Sequence, residues 1–173
     1  MTQTAEAAIE TKQQSYDVER REKENILLVF ELAGENCGLE AEFVRTIVTV
    51  PPRITRIPNS PDYVTGVINL RGSIIPVLDC QIKMNGMATD RGGESRIVVV
   101  EYESVMFGIF VEAVREVRTV YESQIEMPDA SRTGSIDMDY VVGIAKMDDG
   151  RLIVMLDLNT LFGIDELIMQ EDN

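Results

Sequence analysis

Histidine and tryptophan are absent from this 173-residue sequence, and cysteine occurs only twice. Without histidine the chain has no side chain that titrates near neutral pH unperturbed, no Ser–His or Cys–His couple, and none of the commonest zinc ligand. Positive charge is scarce too: sixteen Lys and Arg face thirty Asp and Glu, a formal net charge of −14. A surface so acidic repels phosphate backbones and anionic headgroups, which counts against nucleic acid or a lipid surface as a partner. Uninterrupted apolar runs stop at about five residues, as in Ile26–Phe30 and Leu152–Leu156, against the ~18 needed to cross a bilayer. The polar start of the chain reads as neither a signal peptide nor an anchor.

Cys37 and Cys80 stand apart with no CxxC, which suits a reducing cytoplasm better than a secreted disulfide scaffold. Each lies in or just after an apolar stretch and reads as a buried thiol before it reads as a redox group. Phosphate-binding glycine loops are missing, since the glycines come singly or as Gly92-Gly93. The carboxylate pairs Asp137/Asp139 and Asp148-Asp149 sit in turn-like contexts, where solvated turn residues are the simpler reading. No catalytic group, metal site or cofactor is expected, and a binding module is the simplest class left.

What the sequence does contain is β structure. Hydrophobic residues make up 45%, and from Asn25 onward short β-branched and aromatic runs alternate with Gly, Pro, Asn and Asp. Strands are expected over 26–33, 44–50, 64–70, 73–78, 96–103, 106–112, 114–120, 140–146 and 151–156. Arg71-Gly72 and Asp149-Gly150 mark turns. Four prolines make 51–63 an irregular connection. Short helices are expected after Asp79 and Asp157, each a capping residue, and 164–171 is a candidate acidic helix. The organisation expected is a flexible tail over 1–24, a folded region over 25–163 and an acidic tail over 164–173.

The folded region repeats itself. Gly38 to Val50 aligns with Gly108 to Val120 at an offset of 70, matching Gly, Val, Arg, Thr and Val. Gly66 and Asp79 then correspond to Gly143 and Asp157, at offsets of 77 and 78. Ile26–Phe30 mirrors Arg96–Val100. Two similar β subdomains follow, each near the lower size limit for independent stability, so each leans on the other. Residues 97–100 are apolar on both faces, as befits a strand between layers. The expected fold is therefore all-β: two small barrels sharing an apolar seam.

The most informative stretch is Val64 to Asp79, preceded by Ile57-Pro58-Asn59-Ser60-Pro61. Alternation predicts Val64, Gly66, Ile68 and Leu70 on one face, with Thr65, Val67, Asn69 and Arg71 on the other. Arg71 is read either as an exposed turn residue or as a fixed cation able to hold a partner's carboxylate or carbonyls.

Residues 66–79 follow the pattern G-V-x-N-L-R-G-x-I-x-P-V-x-D, with I-P-N-x-P upstream. From about Ile26 to Phe162 the sequence resembles the CheW family of chemotaxis coupling proteins. The resemblance implies two five-stranded SH3-like barrel subdomains packed on a shared hydrophobic core, with few short helices, and an adaptor without catalytic activity or cofactor. The implied partners are the cytoplasmic tips of methyl-accepting chemotaxis proteins and the regulatory domain of the histidine kinase CheA. Nucleic acid and direct membrane insertion are not implied. The implied place is the cytoplasm, with recruitment to membrane-associated receptor arrays through those partners.

Positions matching the family's receptor-binding groove are Arg71 with its neighbours Asn69 and Leu70, Val44 and Ile47 from the first unit, and Val114 and Val117 from the second. In a regular strand Val44 and Ile47 would face opposite ways, so a bulge, or a strand start after Val44, is required. The sequence departs from the family where Thr46 replaces an acidic residue common in V-x-E-I. An adaptor of another chemosensory pathway, such as surface motility, and a small-ligand-binding β-barrel are the alternative readings.

Overall fold

A computed structural model describes residues 22–163 together with residues 5 and 6. The expected tail thus falls largely outside the described residues, and the expected helix over 164–171 does so entirely. Eleven strands run in order: β1 (Glu24–Leu32), β2 (Glu35–Glu40), β3 (Val44–Thr49), β4 (Val64–Leu70), β5 (Ser73–Leu78), β6 (Arg96–Tyr102), β7 (Val105–Val111), β8 (Ala113–Tyr121), β9 (Ile125–Glu126), β10 (Val141–Lys146) and β11 (Leu152–Leu156). Helices α1 (Cys80–Asn85) and α2 (Leu158–Phe162) follow β5 and β11. β1 begins two residues before the expected strand start at Ile26, because Glu24 pairs with Tyr121 of β8.

One sheet has the order β3-β6-β7-β5-β4 and forms the first barrel; the other, β8-β1-β2-β11-β10-β9, forms the second. The repeat maps β1–β5 onto β6, β7, β8, β10 and β11, and the same five-strand order results in both sheets. Each barrel takes two strands from one repeat unit and three from the other. The first pairs β3 with β6, and the second pairs β8 with β1. A contiguous repeat unit is therefore not a barrel, and the two barrels are exchanged through one another. β9 adds a short sixth strand to the second sheet; its counterpart in the first is the single bridge between Thr55 and Val67.

Apolar side chains divide into three clusters. Ile68, Ile75, Val77, Ile97, Val99 and Phe110 fill the first barrel, while Leu27, Val29, Val120, Ala145, Ile153 and Met155 fill the second. The largest cluster lies between the sheets and takes Leu28 and Phe30 from β1, Val98 and Val100 from β6, and Phe107 from β7. Phe162 of α2 meets Phe107 edge-on there, ring centroids 4.8 Å apart. This seam explains why 97–100 is apolar on both faces: odd positions point into a barrel and even ones into the seam.

Both helices start as expected. Asp79 accepts from the Gln81 and Ile82 backbone N–H groups, and Asp157 from those of Asn159 and Thr160. Their own N–H groups donate to the carbonyls of Tyr63 and Tyr140, which occupy matching repeat positions. The buried Asp79 also accepts from the backbone N–H and hydroxyl of Thr89, tying down the loop after α1.

The alternation expected through β4 fails at its start. A register shift between Val64 and Gly66 turns Val64 into the seam, whereas Ile68 and Leu70 point into the first barrel. Gly66 sits where the 51–63 connection crosses the sheet. Its φ is 152°, and a Cβ there would lie 2.3 Å from the Thr55 carbonyl oxygen.

Candidate functional site

The two expected groove segments carry matching irregularities. In β3, Val44 pairs with Val100 and Thr46 with Val99, so Arg45 is the extra residue of a bulge. In β8, Glu116 pairs with Val29 and Val114 with Phe30, so Arg115 is the extra residue there. Each bulge resets the alternation. Val44 and Ile47 then lie opposite Val100 and Val98, while Val114 and Val117 lie opposite Phe30 and Leu28. All four partners belong to the seam cluster. Thus Val44, Ile47, Val114 and Val117 all stand on the seam-facing sides of their strands.

The inner pair, Val44 and Val114, packs against the seam. The outer pair stays open: Ile47 is 40% and Val117 65% exposed. A cleft of about 170 Å³ is lined by Ile47, Ala113 and Val114 with Glu94 and Arg96 at its margin, joining one barrel to the other. The repeat relates Ile47 to Val117 and Val114 to Val44.

The bulged arginines are held by repeat-related ion pairs. Arg45 Nε lies 2.6 Å from a Glu101 carboxylate oxygen, and Arg115 pairs with Glu31. Glu31 holds the Arg115 guanidinium above the usual arginine range. Thr46 faces the opposite side of β3 from Ile47. Its repeat counterpart Glu116 contacts Arg118 at 3.5 Å and Arg151 at 3.6 Å.

Arg71 is placed elsewhere. It occupies the two-residue turn between Leu70 and Ser73 with φ 51°, followed by Gly72 at φ 89°. Two positive φ values make a hairpin turn that Asn-Gly would fill with less strain. Asn69 Oδ1 accepts from the Gly72 N–H at 2.9 Å and so braces this turn. Leu70 packs on the first barrel's interior and anchors the hairpin. Arg71 is exposed, does not line the 170 Å³ cleft, and has no acidic partner among the described residues. Beside it, Ile74 is 72% exposed.

Sequence reasoning missed Glu94, Arg96 and Ala113 in the cleft. Ala113 starts β8 next to the expected Val114, but nothing in the pattern brings the β6 entry to the same mouth.

Both cysteines are free and fully buried in the seam, where burial pushes their thiols above the ordinary range. Asp137 accepts from the Asp139 N–H and Asp149 from the Arg151 N–H, so each serves a turn. Among the described residues no three Cys, Asp or Glu side chains gather as metal ligands, and no helix is long and apolar enough to cross a membrane.

Comparison with known proteins agrees with this architecture. The CheW-like domain matches residues 27–166. The chain is 31% identical over 150 residues to the chemotaxis protein CheW of Thermotoga maritima, covering 86% of this chain and 93% of that one. It is 30% identical over 137 residues to the CheW of Bacillus subtilis, covering 78% and 85%. The solved structure of the scaffolding protein TtCheW from Thermoanaerobacter tengcongensis superposes with a TM-score of 0.70 at 38% identity, covering 81% of this chain and 88% of that one. With the family's domain spanning residues 27–166 and relatives at 30% identity or more covering most of its length, the chain belongs to the CheW-like domain family.

Proposed function

We propose that this protein is a non-catalytic chemotaxis adaptor that couples chemoreceptors to the histidine kinase CheA, binding receptor helices at the seam mouth. One observation carries the reading. Two bulges at repeat-related arginines put Val44, Ile47, Val114 and Val117 on one side, and leave Ile47 and Val117 open to solvent where the barrels meet. An amphipathic helix can lay apolar side chains on such a surface. Arg71 supplies a separate cationic contact: the strained turn that holds it serves no internal ion pair among the described residues, and strain of this kind clusters at functional positions. The adaptor works in the cytoplasm and reaches the receptor arrays through its partners.

The test is co-sedimentation of the purified protein with receptor-tip particles and a CheA-type kinase, comparing wild type with Ile47→Asp and Arg71→Glu. Wild type should enter a ternary complex. Loss of an anchor costs ~1–3 kcal/mol, or roughly tenfold to hundredfold in affinity. Each variant should therefore lose receptor, keep kinase and melt near the wild-type temperature. A wild type that binds neither partner sinks the adaptor reading, and an Arg71→Glu protein that unfolds makes that arginine structural.

A further inference from the structure

The second barrel is open where the first is plugged. The repeat places Glu40 at the position of Phe110. Phe110 is buried in the first barrel, and the Arg91 guanidinium, from the loop after α1, lies 5.3 Å from its ring centroid. An aromatic side chain with a cation over it thus closes that end. In the second barrel Glu40 borders a cleft of about 170 Å³ walled by Leu27, Phe43, Tyr102, Val142, Met155 and Leu158. Glu40 also borders a wider cleft of about 460 Å³, lined with it by Glu24, Ile26 and Glu42. Lys23 is the one cation that the described residues place in that lining. An apolar slot and an acidic vestibule therefore meet at Glu40, and Ile26 and Val142 are each 52% exposed there.

The first barrel shows what the second lacks: a bulky apolar side chain with a cation beside it. The segment after α2, counterpart of the loop that carries Arg91, is unsuited to supply them. Residues 164–173 hold four carboxylates and no cation, and would set them against Glu24, Glu40 and Glu42. The other end of the chain has the right chemistry. Residues 16–21 read Tyr-Asp-Val-Glu-Arg-Arg. In an extended segment Tyr16, Val18 and Arg20 share one face, while Asp17 and Glu19 turn to the other. This segment joins the fold beside the vestibule. The Glu22 carboxylate accepts from the Ser123 N–H, the Lys23 carbonyl accepts from the Glu122 N–H, and Lys23 and Glu24 line the vestibule itself.

We propose that residues 16–21 dock in extended form across these two clefts of their own copy, with Tyr16 and Val18 in the apolar slot and Arg20 between Glu24 and Glu42. Reach permits it. Leu27, in the wall of the slot, comes four residues after Lys23, ~13 Å along an extended chain, whereas the seven residues from Tyr16 to Lys23 span up to ~23–25 Å. A tether this short holds the segment at roughly millimolar effective concentration, so at lower protein concentrations the same copy outcompetes a second one. The contact closes the second barrel with the same chemistry, supplied from elsewhere in the chain, that closes the first. It stands apart from the coupling function and is read without receptor or kinase.

The chain has no tryptophan, so Tyr16→Trp in the full-length protein gives a fluorophore at this site alone. Its emission should be blue-shifted, and several-fold less quenched by acrylamide, relative to a free peptide of residues 7–21 with the same substitution. Both differences should be the same at every protein concentration. In that background Arg20→Glu, Val142→Asp, or Glu24→Lys with Glu42→Lys should each return the emission to that of the peptide, with melting temperatures near that of the parent. Combining Arg20→Glu with Glu24→Lys and Glu42→Lys should restore the blue shift, a recovery that misfolding cannot produce. Peptide-like emission from the parent Tyr16→Trp protein overturns the proposal. So does protection that survives any of those substitutions, protection that grows with protein concentration and therefore comes from a second copy, or a charge swap that fails to recover.

Discussion

The two barrels are built by the same backbone devices and finished with different side chains. Both have the same five-strand order, a bulge at a repeat-related arginine, a parallel pairing at a repeat-related glycine, and a helix capped by an aspartate whose N–H reaches a tyrosine carbonyl. They part company at the solvent tips. The β4–β5 turn of the first barrel presents Arg71-Gly72, whereas the β10–β11 turn of the second presents Asp148-Asp149-Gly150. Glu116 of the second barrel joins two arginines, while Thr46 at the matching position of the first makes no ion pair. What repeats is the folding machinery, and what differs is the charge shown to partners. A duplicated scaffold can thus offer two unlike surfaces without changing its core.

Strand exchange makes the barrels one cooperative unit, and the most severe prediction tests that. Phe107→Ala empties part of the seam and should cost ~3–5 kcal/mol. Urea unfolding followed by circular dichroism and by tyrosine fluorescence should show coincident transitions; two separate transitions would mean the barrels are independent.

The repeat-related glycines should then differ. Gly66→Ala drives a Cβ against the Thr55 carbonyl at a positive φ and should cost ~3 kcal/mol or more. Gly143→Ala meets the Ile125 methyl at 2.8 Å, which can shift, and the Glu126 carbonyl oxygen only at an ordinary 3.4 Å, and should cost ~1–2 kcal/mol. Equal losses would show that the Thr55 crossing does not constrain the first barrel.

The caps should separate more gently. Asp79→Ala loses four hydrogen bonds at a buried site and should cost ~2–3 kcal/mol, against ~1 for Asp157→Ala, which loses two. Thermal melts of the two variants give the ranking.

The smallest effect comes from Glu40, whose repeat counterpart is the buried Phe110. Burial, and then Glu42 beside it, raises the Glu40 carboxyl above the usual range, partly offset by Lys23. The folded state therefore binds this proton more tightly than the unfolded chain. The stabilisation is complete below the ordinary glutamate range and is lost as pH rises through the raised value. Glu40→Gln should raise stability at neutral pH by less than ~1 kcal/mol and do nothing in acid. A gain that persists at low pH would assign the effect to something other than this proton.

All nine expected strands exist, because each is a short β-branched run bounded by turn residues, a signal carried by neighbours in the chain. β2 and β9 escaped. β2 reads Glu-Asn-Cys-Gly-Leu-Glu and is too polar for that signal, although its repeat counterpart β7 is plain. β9 is two residues long and exists only because β10 offers it an edge. Simple alternation puts Val64 on the wrong face because a bulge leaves no mark on composition.

The sequence alone determined nine of the eleven strands, the two aspartate caps, the repeat and the motif from Gly66 to Asp79. These rest on local chemistry: β-branched packing, an Asp oxygen reaching the next turn's N–H groups, and glycines where no side chain fits. It also required that β3 be irregular if Val44 and Ile47 were to share a face. Only the tertiary structure decided which unit each strand would join, that both bulges fall at arginines held by glutamates from the neighbouring strand, and that Arg71 stands away from the cleft. Those outcomes depend on pairings between residues 47 to 97 positions apart, where shared burial in the seam and strand register, not neighbours in the chain, set the free energy.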